Sequence, residues 1–243
     1  MISPNRFSFR FIQSMIVGFV LSGLLAIPSF SNPGHNHSGA APNSTYPSHL
    51  HTTPEVMQLV QMVQKGGYTL FFRHERTTMT EIIRDRLPYD FTTCDGQRML
   101  SPAGIASSQE AGQAFRLLNI PIEQVLSSPI CRSKDTAKQA FQDFKVTNQL
   151  MVQNQTLKRT KDNVAQDLIA LVNQPHSPTQ NTILIGHLGN VMALNVIPSE
   201  GEAIVLKPDG KGGVTVVGQL IAAHWGDVVR DLERAKQTPE PKT

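Results

Sequence analysis

The 243-residue chain has few of the features that mark nucleic-acid-binding, membrane-spanning or lipidated proteins. It has no tract of basic residues interleaved with aromatics, which argues against a nucleic-acid partner. Its N-terminal apolar stretch, Met15–Ile27, is shorter than the ~20 residues that span a bilayer comfortably. No cysteine directly follows that stretch, so the sequence does not indicate a lipid anchor.

The N-terminal segment has the pattern of a secretory signal. Arg6 and Arg10 precede the apolar stretch, and Ser29 and Ser31 follow it with the small-x-small spacing of a cleavage site. We therefore expect residues 1–31 to be a signal peptide and the mature protein to be periplasmic or secreted. Removing them takes away two arginines and lowers the formal net charge from +3 to +1. Association with a membrane is expected only if this segment stays uncleaved.

The next segment, residues 32–53, contains no charged residue and is rich in Pro, Gly, Ser and Asn, which predicts a flexible linker. It also contains two His-x-His pairs, at His35/His37 and His49/His51. Imidazoles bind borderline metals, so weak metal binding is one interpretation. The other is a polar linker that happens to contain histidine, because nothing nearby would fix a coordination geometry.

Residues 54–243 are predicted to form one domain in which helices and strands alternate. Apolar positions at helical spacing, Ser or Thr caps and prolines in the first turn predict the helices, and apolar runs predict the strands. The predicted helices cover about 54–65, 101–118, 132–144, 162–173 and 225–236, and the predicted strands cover 68–73, 122–129, 181–187 and a hairpin over 202–220. This order predicts an α/β fold, a three-layer sandwich whose mostly parallel central sheet carries helices on both faces.

Polar chemistry follows three of the predicted strands at the point where each strand ends. The first runs into Arg73 and His74, the second into a turn followed by Arg132, and the third into His187. Because ligands in such folds bind beyond the carboxyl ends of the strands, these four side chains are expected to converge. Guanidinium groups bind phosphoryl oxygens bidentately, and a neutral imidazole is a good nucleophile near neutral pH. The pattern predicts a site for a phosphate monoester that requires no metal or other cofactor.

Three motifs carry a resemblance to a known family. FFRHERT, LSSPICRSKDTA and ILIGH resemble, in order and spacing, the motifs of the histidine phosphatase superfamily, the phosphoglycerate-mutase-like fold, over about 68–220. CDGQRMLSPAG and SEGEAIVLKPDGKGG resemble the exported bacterial branch of that family. The resemblance implies that His74 attacks phosphorus and becomes phosphorylated, that Arg73, Arg132 and His187 surround the phosphoryl group, and that water later releases phosphate.

The chain departs from the family pattern after each histidine. Glu75 follows His74 where the family usually has Gly or Ala, and Leu188 follows His187 in place of the commoner Gly. The Glu75 carboxylate could raise the pKa of the imidazole through its charge, or point into solvent without effect.

The proton donor for the leaving group is less defined, because the sequence offers several carboxylates. Glu202, which the resemblance places at the start of a strand beside the His187 loop, is the first candidate. Asp95 and Glu81, in the irregular loop before the second helix, are the alternatives, and each of the three also fits a solvated surface acid. Arg98, in CDGQRML, either binds remote anionic groups of the substrate or lies on the surface.

The two cysteines, Cys94 and Cys131, favour a disulfide, because their number is even and the chain has an export signal. The bridge would hold residues 76–100 over the edge of the sheet where the four site residues are expected to converge. The alternative is two reduced thiols packed as small hydrophobic side chains. Neither cysteine precedes a Gly-rich phosphate loop, which argues against a cysteine-based phosphatase. GHLGN also lacks the nucleophilic serine of a serine hydrolase.

The sequence therefore predicts an exported phosphatase that hydrolyses a small phosphate monoester through a phosphohistidine on His74. The alternative is a binding protein for a phosphorylated ligand on the same fold, with weak or no turnover. The unusual Glu75 and the undefined general acid motivate that alternative. Export away from metabolite pools argues against a mutase.

Overall fold

The computed structural model describes residues 53–78, 91–154, 158–220 and 225–237. Residues 1–52, which include the predicted signal peptide and all of the predicted linker except Thr53, lie outside the described residues. The acid candidate Glu81 also lies outside them. Within the described ranges, no helix has both the length and the apolar character needed to cross a membrane.

The longer helices begin and end within a few residues of the predicted positions. Helix α1 (Pro54–Lys65) starts after Thr53, whose hydroxyl accepts a hydrogen bond from a first-turn N–H, and α2 (Pro102–Leu117) starts in the same way after a serine. Helix α3 (Cys131–Phe141) ends earlier than predicted, because Gln142 adopts a left-handed φ of 67°. The others are α4 (Lys161–Val172), α6 (Trp225–Gln237), and three short elements that were not predicted: helix α5 (Leu188–Val191) and 3-10 turns at Asn148–Leu150 and Met192–Leu194.

Six strands in the described part of the chain form one sheet. They are β1 (Thr69–Arg73), β2 (Ile122–Ser127), β3 (Lys145–Val146), β4 (Asn181–Gly186), β5 (Ala203–Pro208) and β6 (Val214–Leu220). Their order is β3-β2-β4-β1-β5-β6. The pairs from β3 to β1 are parallel, and β5 runs antiparallel to both of its neighbours. The mostly parallel sheet is confirmed; β3, an exposed strand of two residues, was not predicted.

The strands alternate their side chains between two apolar cores, one on each face of the sheet. Leu70 and Phe72 of β1 pack with α1, α2 and α6, whereas Phe71 packs on the opposite face with α4. Phe72 lies 5.8 Å from Phe115 and 6.3 Å from Trp225 between ring centroids. Helices therefore cover both faces of the sheet, and the predicted three-layer α/β sandwich is confirmed.

The strand register brings three carboxyl ends to the same edge of the sheet. Arg73, the last residue of β1, pairs with Gly186 at the end of β4, and Ser127 at the end of β2 pairs with Ile185. We call this the carboxyl edge. The residues that follow these three strands are consequently neighbours in space, although more than a hundred residues of chain separate the first from the last.

Candidate active site

Four side chains predicted from the sequence lie together at the carboxyl edge. The backbone N–H of His74 donates to the carbonyl of Gly186 at 2.9 Å, which ties the residue after β1 to the end of β4. The imidazole rings of His74 and His187 lie 5.3 Å apart between centroids. Arg132, in the first turn of α3, is buried. Burial of the two imidazoles, and then the charge of Arg132 with a smaller effect of Arg73, lowers the pKa of both. The structure thus groups these residues, while their catalytic roles remain predictions.

The hydrogen bonding of His74 defines which ring nitrogen carries the proton. Nδ1 lies 2.8 Å from the backbone carbonyl oxygen of Glu75, and because a carbonyl only accepts, Nδ1 is the donor. Burial, and then the positive charge of Arg132, lower the pKa of His74 from 6.5 to about 3. At neutral pH the ring is therefore uncharged, and its Nε2 carries a lone pair.

His187 is held by hydroxyl groups at the N-terminal end of α3. Its Nε2 lies 2.9 Å from the Ser128 hydroxyl and 3.4 Å from that of Ser133. Ser128 Oγ accepts from the Ile130 N–H, so its own proton is available to donate to Nε2. This pattern favours the tautomer with the proton on Nδ1, a buried atom that has no partner among the described residues. Burial and then Arg132 keep the pKa of His187 well below 6.5, so the ring is uncharged at neutral pH.

The two outer arginines are held by different loops. Arg73 Nη1 donates to the carbonyl of Pro198 at 3.0 Å, and its Nη2 lies 3.6 Å from the Glu200 carboxylate. Arg98 Nη1 donates to the Thr77 hydroxyl at 3.2 Å, and its charge lies close enough to lower the pKa of both site histidines. Arg98 therefore lies near the two site histidines.

The Glu75 carboxylate lies neither beside the His74 imidazole nor in solvent, the two possibilities that the sequence left open. Its carboxylate is buried, accepts a hydrogen bond from the Ser107 hydroxyl at 2.8 Å and lies 3.2 Å from the Arg76 N–H. Burial raises the pKa of this carboxyl. Because the carboxylate faces α2 and not the imidazole, it does not raise the pKa of His74, and it does not point into solvent.

The remaining acid candidates are placed as follows. Glu202 accepts from the Ser199 N–H at 2.8 Å and from Gln219 Nε2, and neither partner belongs to the group of four. Asp95 is exposed in the loop before α2. Glu200, which the sequence analysis did not single out, is the carboxylate bound to Arg73. Its position next to Gly201 in the SEGEA motif is the sequence feature from which it could have been identified.

The predicted disulfide between Cys94 and Cys131 is present, with 5.8 Å between the Cα atoms. Gln97, also missed from the sequence, reinforces this connection, because its side-chain oxygen accepts from the Cys131 N–H at 2.9 Å. Both contacts join the loop that carries Arg98 to the first turn of α3, which carries Arg132. The described part of the 76–100 loop is thus fastened to α3 next to Arg132.

The donor set at the site suits an anion better than a metal ion. In the residues that the structure describes, no group of three or more His, Cys, Asp or Glu side chains is arranged to hold a metal. The positive groups Arg73, Arg98 and Arg132 converge instead, and guanidinium groups complement phosphoryl oxygens. What the arrangement can do chemically is bind a phosphate group against an uncharged imidazole.

The buried imidazoles are expected to make folding stability fall as the pH is lowered from about 6.5. The unfolded chain takes up protons on His74 and His187 near pH 6.5, whereas the folded chain resists doing so, to about pH 3 for His74. The free energy of unfolding is therefore undiminished above about pH 6.5. Below that pH, each histidine lowers it by up to about 1.4 kcal/mol per pH unit. Urea unfolding at about pH 7, 6 and 5 measures this slope.

The His74→Ala variant should show a shallower slope than the wild type, since one of the two buried titrations is removed. Equal slopes for the wild type and His74→Ala would show that His74 titrates normally in the folded state.

Comparison with known proteins found similar solved structures. No protein-family model matches the chain, and no curated protein matches it. The protein histidine phosphatase SixA, solved with tungstate, is similar at 19% identity and a TM-score of 0.47, over 64% of this chain and 97% of that one. A phosphoserine phosphatase from Entamoeba histolytica is similar at 11% identity and a TM-score of 0.45, over 65% and 98%. A mycobacterial glucosyl-3-phosphoglycerate phosphatase is similar at 14% identity and a TM-score of 0.46, over 62% and 96%.

These three solved proteins are members of the histidine phosphatase superfamily, the family whose motifs the sequence resembles.

Proposed function

We propose that this protein is a phosphatase that hydrolyses a phosphate monoester through a phosphohistidine on His74. The observation that carries the proposal is the state of the His74 imidazole. Its Nδ1–H is bound to the Glu75 carbonyl at 2.8 Å, and a pKa of about 3 leaves Nε2 unprotonated at neutral pH. An oriented, uncharged imidazole beside buried arginine is the form of histidine that attacks phosphorus.

In the first step, His74 Nε2 forms a bond to phosphorus while the bond from phosphorus to the leaving oxygen breaks. The guanidinium groups of Arg73 and Arg132 stabilise the negative charge on the phosphoryl oxygens. The buried Nδ1–H of His187 donates a further hydrogen bond to the same group. These donors are fixed before the substrate arrives, so little reorganisation is needed during the reaction.

In the second step, the oxygen of a water molecule attacks phosphorus, the bond between nitrogen and phosphorus breaks, and phosphate leaves. His74 returns to its starting state with Nδ1 still bound to the Glu75 carbonyl. Charge stabilisation in both steps comes from arginine and histidine, so the proposed reaction includes no metal or other cofactor. The expected substrate is a small phosphorylated molecule, and Arg98 would bind an anionic group remote from the reacting phosphate.

The proposed location is the periplasm or the outside of the cell. The disulfide between Cys94 and Cys131 supports this proposal, because such bonds persist in oxidising compartments. It agrees with the signal-like pattern of residues 1–31.

The test is to trap the phosphorylated enzyme. The purified protein is mixed with p-nitrophenyl phosphate, quenched rapidly in alkali and weighed by intact mass spectrometry, with released phosphate measured in parallel. We expect an adduct of one phosphoryl group that is stable in alkali and labile in acid, as a phosphohistidine is. His74→Ala should form no adduct and release no phosphate above background.

His176→Ala is the matched control, because it removes a histidine that lies far from the carboxyl edge; it should form the adduct as the wild type does. An adduct that persists in His74→Ala would contradict the assigned nucleophile. Tight, saturable binding of the ester without adduct or phosphate release would contradict the enzyme and support the alternative, a binding protein for a phosphorylated ligand.

A further inference from the structure

A tight turn at residues 198–202 is bound directly to the backbone of the nucleophile. The Gly201 N–H lies 3.1 Å from the carbonyl oxygen of Arg73 and 3.2 Å from that of His74. Gly201 has a φ of 82°, and a side chain there would clash with the Glu75 carboxylate. The position of this turn relative to His74 is therefore fixed by backbone contacts at the end of β1.

Three carboxyl groups lie in or against this turn, and they have different partners. Glu75 is enclosed in the protein with 3% of its surface exposed. Glu202 closes the turn, because its carboxylate accepts from the Ser199 N–H and from Gln219 Nε2. Glu200 differs from both, because in the described part of the chain its ion pair is with Arg73.

The contact of Glu200 places a carboxyl group at the border of the phosphoryl site. Its Oε1 lies 3.6 Å from Nη2 of Arg73, and each of the two side chains is 24% exposed. Arg73 is also held through Nη1 by the carbonyl of Pro198, so the guanidinium and the turn form one unit. Glu200 therefore contacts the guanidinium to which the proposed function assigns the phosphoryl oxygens, and it is still in contact with solvent, from which it can regain a proton.

We propose that Glu200 is the general acid that protonates the leaving group and the general base that activates water; this rests on the function proposed above. The leaving group departs on the side of phosphorus opposite Nε2 of His74. We place Glu200 on that side, because it contacts Arg73 and is 24% exposed, whereas His74 is 3% exposed.

The proton transfers complete both steps of the reaction. As Nε2 bonds to phosphorus and the phosphorus–oxygen bond breaks, the Glu200 carboxyl gives its proton to the leaving oxygen and an alcohol is released. The resulting carboxylate then takes a proton from the water whose oxygen attacks phosphorus. Phosphate leaves, His74 is restored, and Glu200 is again protonated.

The experiment compares an alkyl phosphate with p-nitrophenyl phosphate in the wild type and in Glu200→Gln. Glutamine keeps the size of the side chain but has no proton to transfer. We expect kcat for the alkyl phosphate to fall by about a hundredfold or more, while kcat for p-nitrophenyl phosphate, whose leaving group needs no proton, changes little. A reaction that needs a protonated carboxyl slows at higher pH, so wild-type kcat for the alkyl phosphate should fall there. This fall should be absent in Glu200→Gln.

Glu202→Gln is the matched control, since it alters a carboxyl of the same turn whose partners are Ser199 and Gln219. It should affect both substrates alike. An equal loss on both substrates in Glu200→Gln would overturn the proposal, because it would show that Glu200 only positions Arg73. A loss confined to the alkyl phosphate in Glu202→Gln would assign the acid to Glu202 instead. If the wild type forms no phosphorylated enzyme with p-nitrophenyl phosphate, the proposed phosphatase function itself would be rejected.

Discussion

Replacing Arg132 with alanine is expected to lower kcat/KM for phosphate esters by about a thousandfold, or about 4 kcal/mol of transition-state stabilisation. Arg132 is buried in the first turn of α3, and its charge acts on both site imidazoles. A desolvated guanidinium aimed at developing charge contributes more than an exposed one, because it does not compete with water. Steady-state kinetics with p-nitrophenyl phosphate measures the loss.

The same variant should change the titration of the nucleophile. Since Arg132 is one of the causes that lower the pKa of His74, its removal should raise that pKa, which NMR titration of the imidazole would detect. Arg132→Lys should give a smaller loss of activity, because it keeps the charge without the bidentate geometry. Lys138→Ala, an exposed change on the same helix, is the control. A loss of less than about tenfold in Arg132→Ala would show that this guanidinium does not contact the phosphoryl group.

The grouping of Arg73, His74, Arg132 and His187 could be predicted because it depends on strand direction. Apolar runs buried on both faces require a covered, mostly parallel sheet, and parallel strands end at the same edge. Residues that follow such strands become neighbours whatever their separation in the chain. The physical rule that defines the fold therefore defines this part of the site as well.

The partners of the carboxylates could not be predicted in the same way. Glu200 and Glu202 are two residues apart, and the left-handed conformation of Gly201 between them directs one to Arg73 and the other to Ser199. Spacing along the chain does not reveal this reversal. Likewise, the effect of Glu75 depends on whether its carboxylate faces the imidazole or α2, and that is decided by the Ser107 hydroxyl 32 residues further along the chain.

Short elements after the strands also could not be predicted from the sequence. Helix α5 comprises four residues directly after His187, too few for an apolar period to be recognisable. Its Asn190 nevertheless accepts the His187 N–H at 2.7 Å and so fixes the backbone of that residue. Ser128 and Gln97 were missed for a different reason, because their partners are brought together only by the tertiary fold.

Removal of the disulfide is expected to lower the free energy of unfolding by about 4 kcal/mol, measured by urea denaturation of a Cys94→Ala/Cys131→Ala variant. The two cysteines are 37 residues apart, and releasing a loop of that length increases the entropy of the unfolded chain. A reductant should destabilise the wild type by a similar amount and leave the double variant unchanged. A double variant as stable as the oxidised wild type would show that the bond does not restrict the unfolded chain.

The same variant should separate substrate binding from chemistry. The bridge and the Gln97 contact both fasten the Arg98 loop to α3, whereas His74 is held independently by Gly186 and the Glu75 carbonyl. Without the bridge, KM for a substrate with a second anionic group should rise while kcat for p-nitrophenyl phosphate stays close to the wild-type value. A parallel fall in kcat for both substrates would mean that the disulfide supports the first turn of α3, and with it Arg132, more than the loop that carries Arg98.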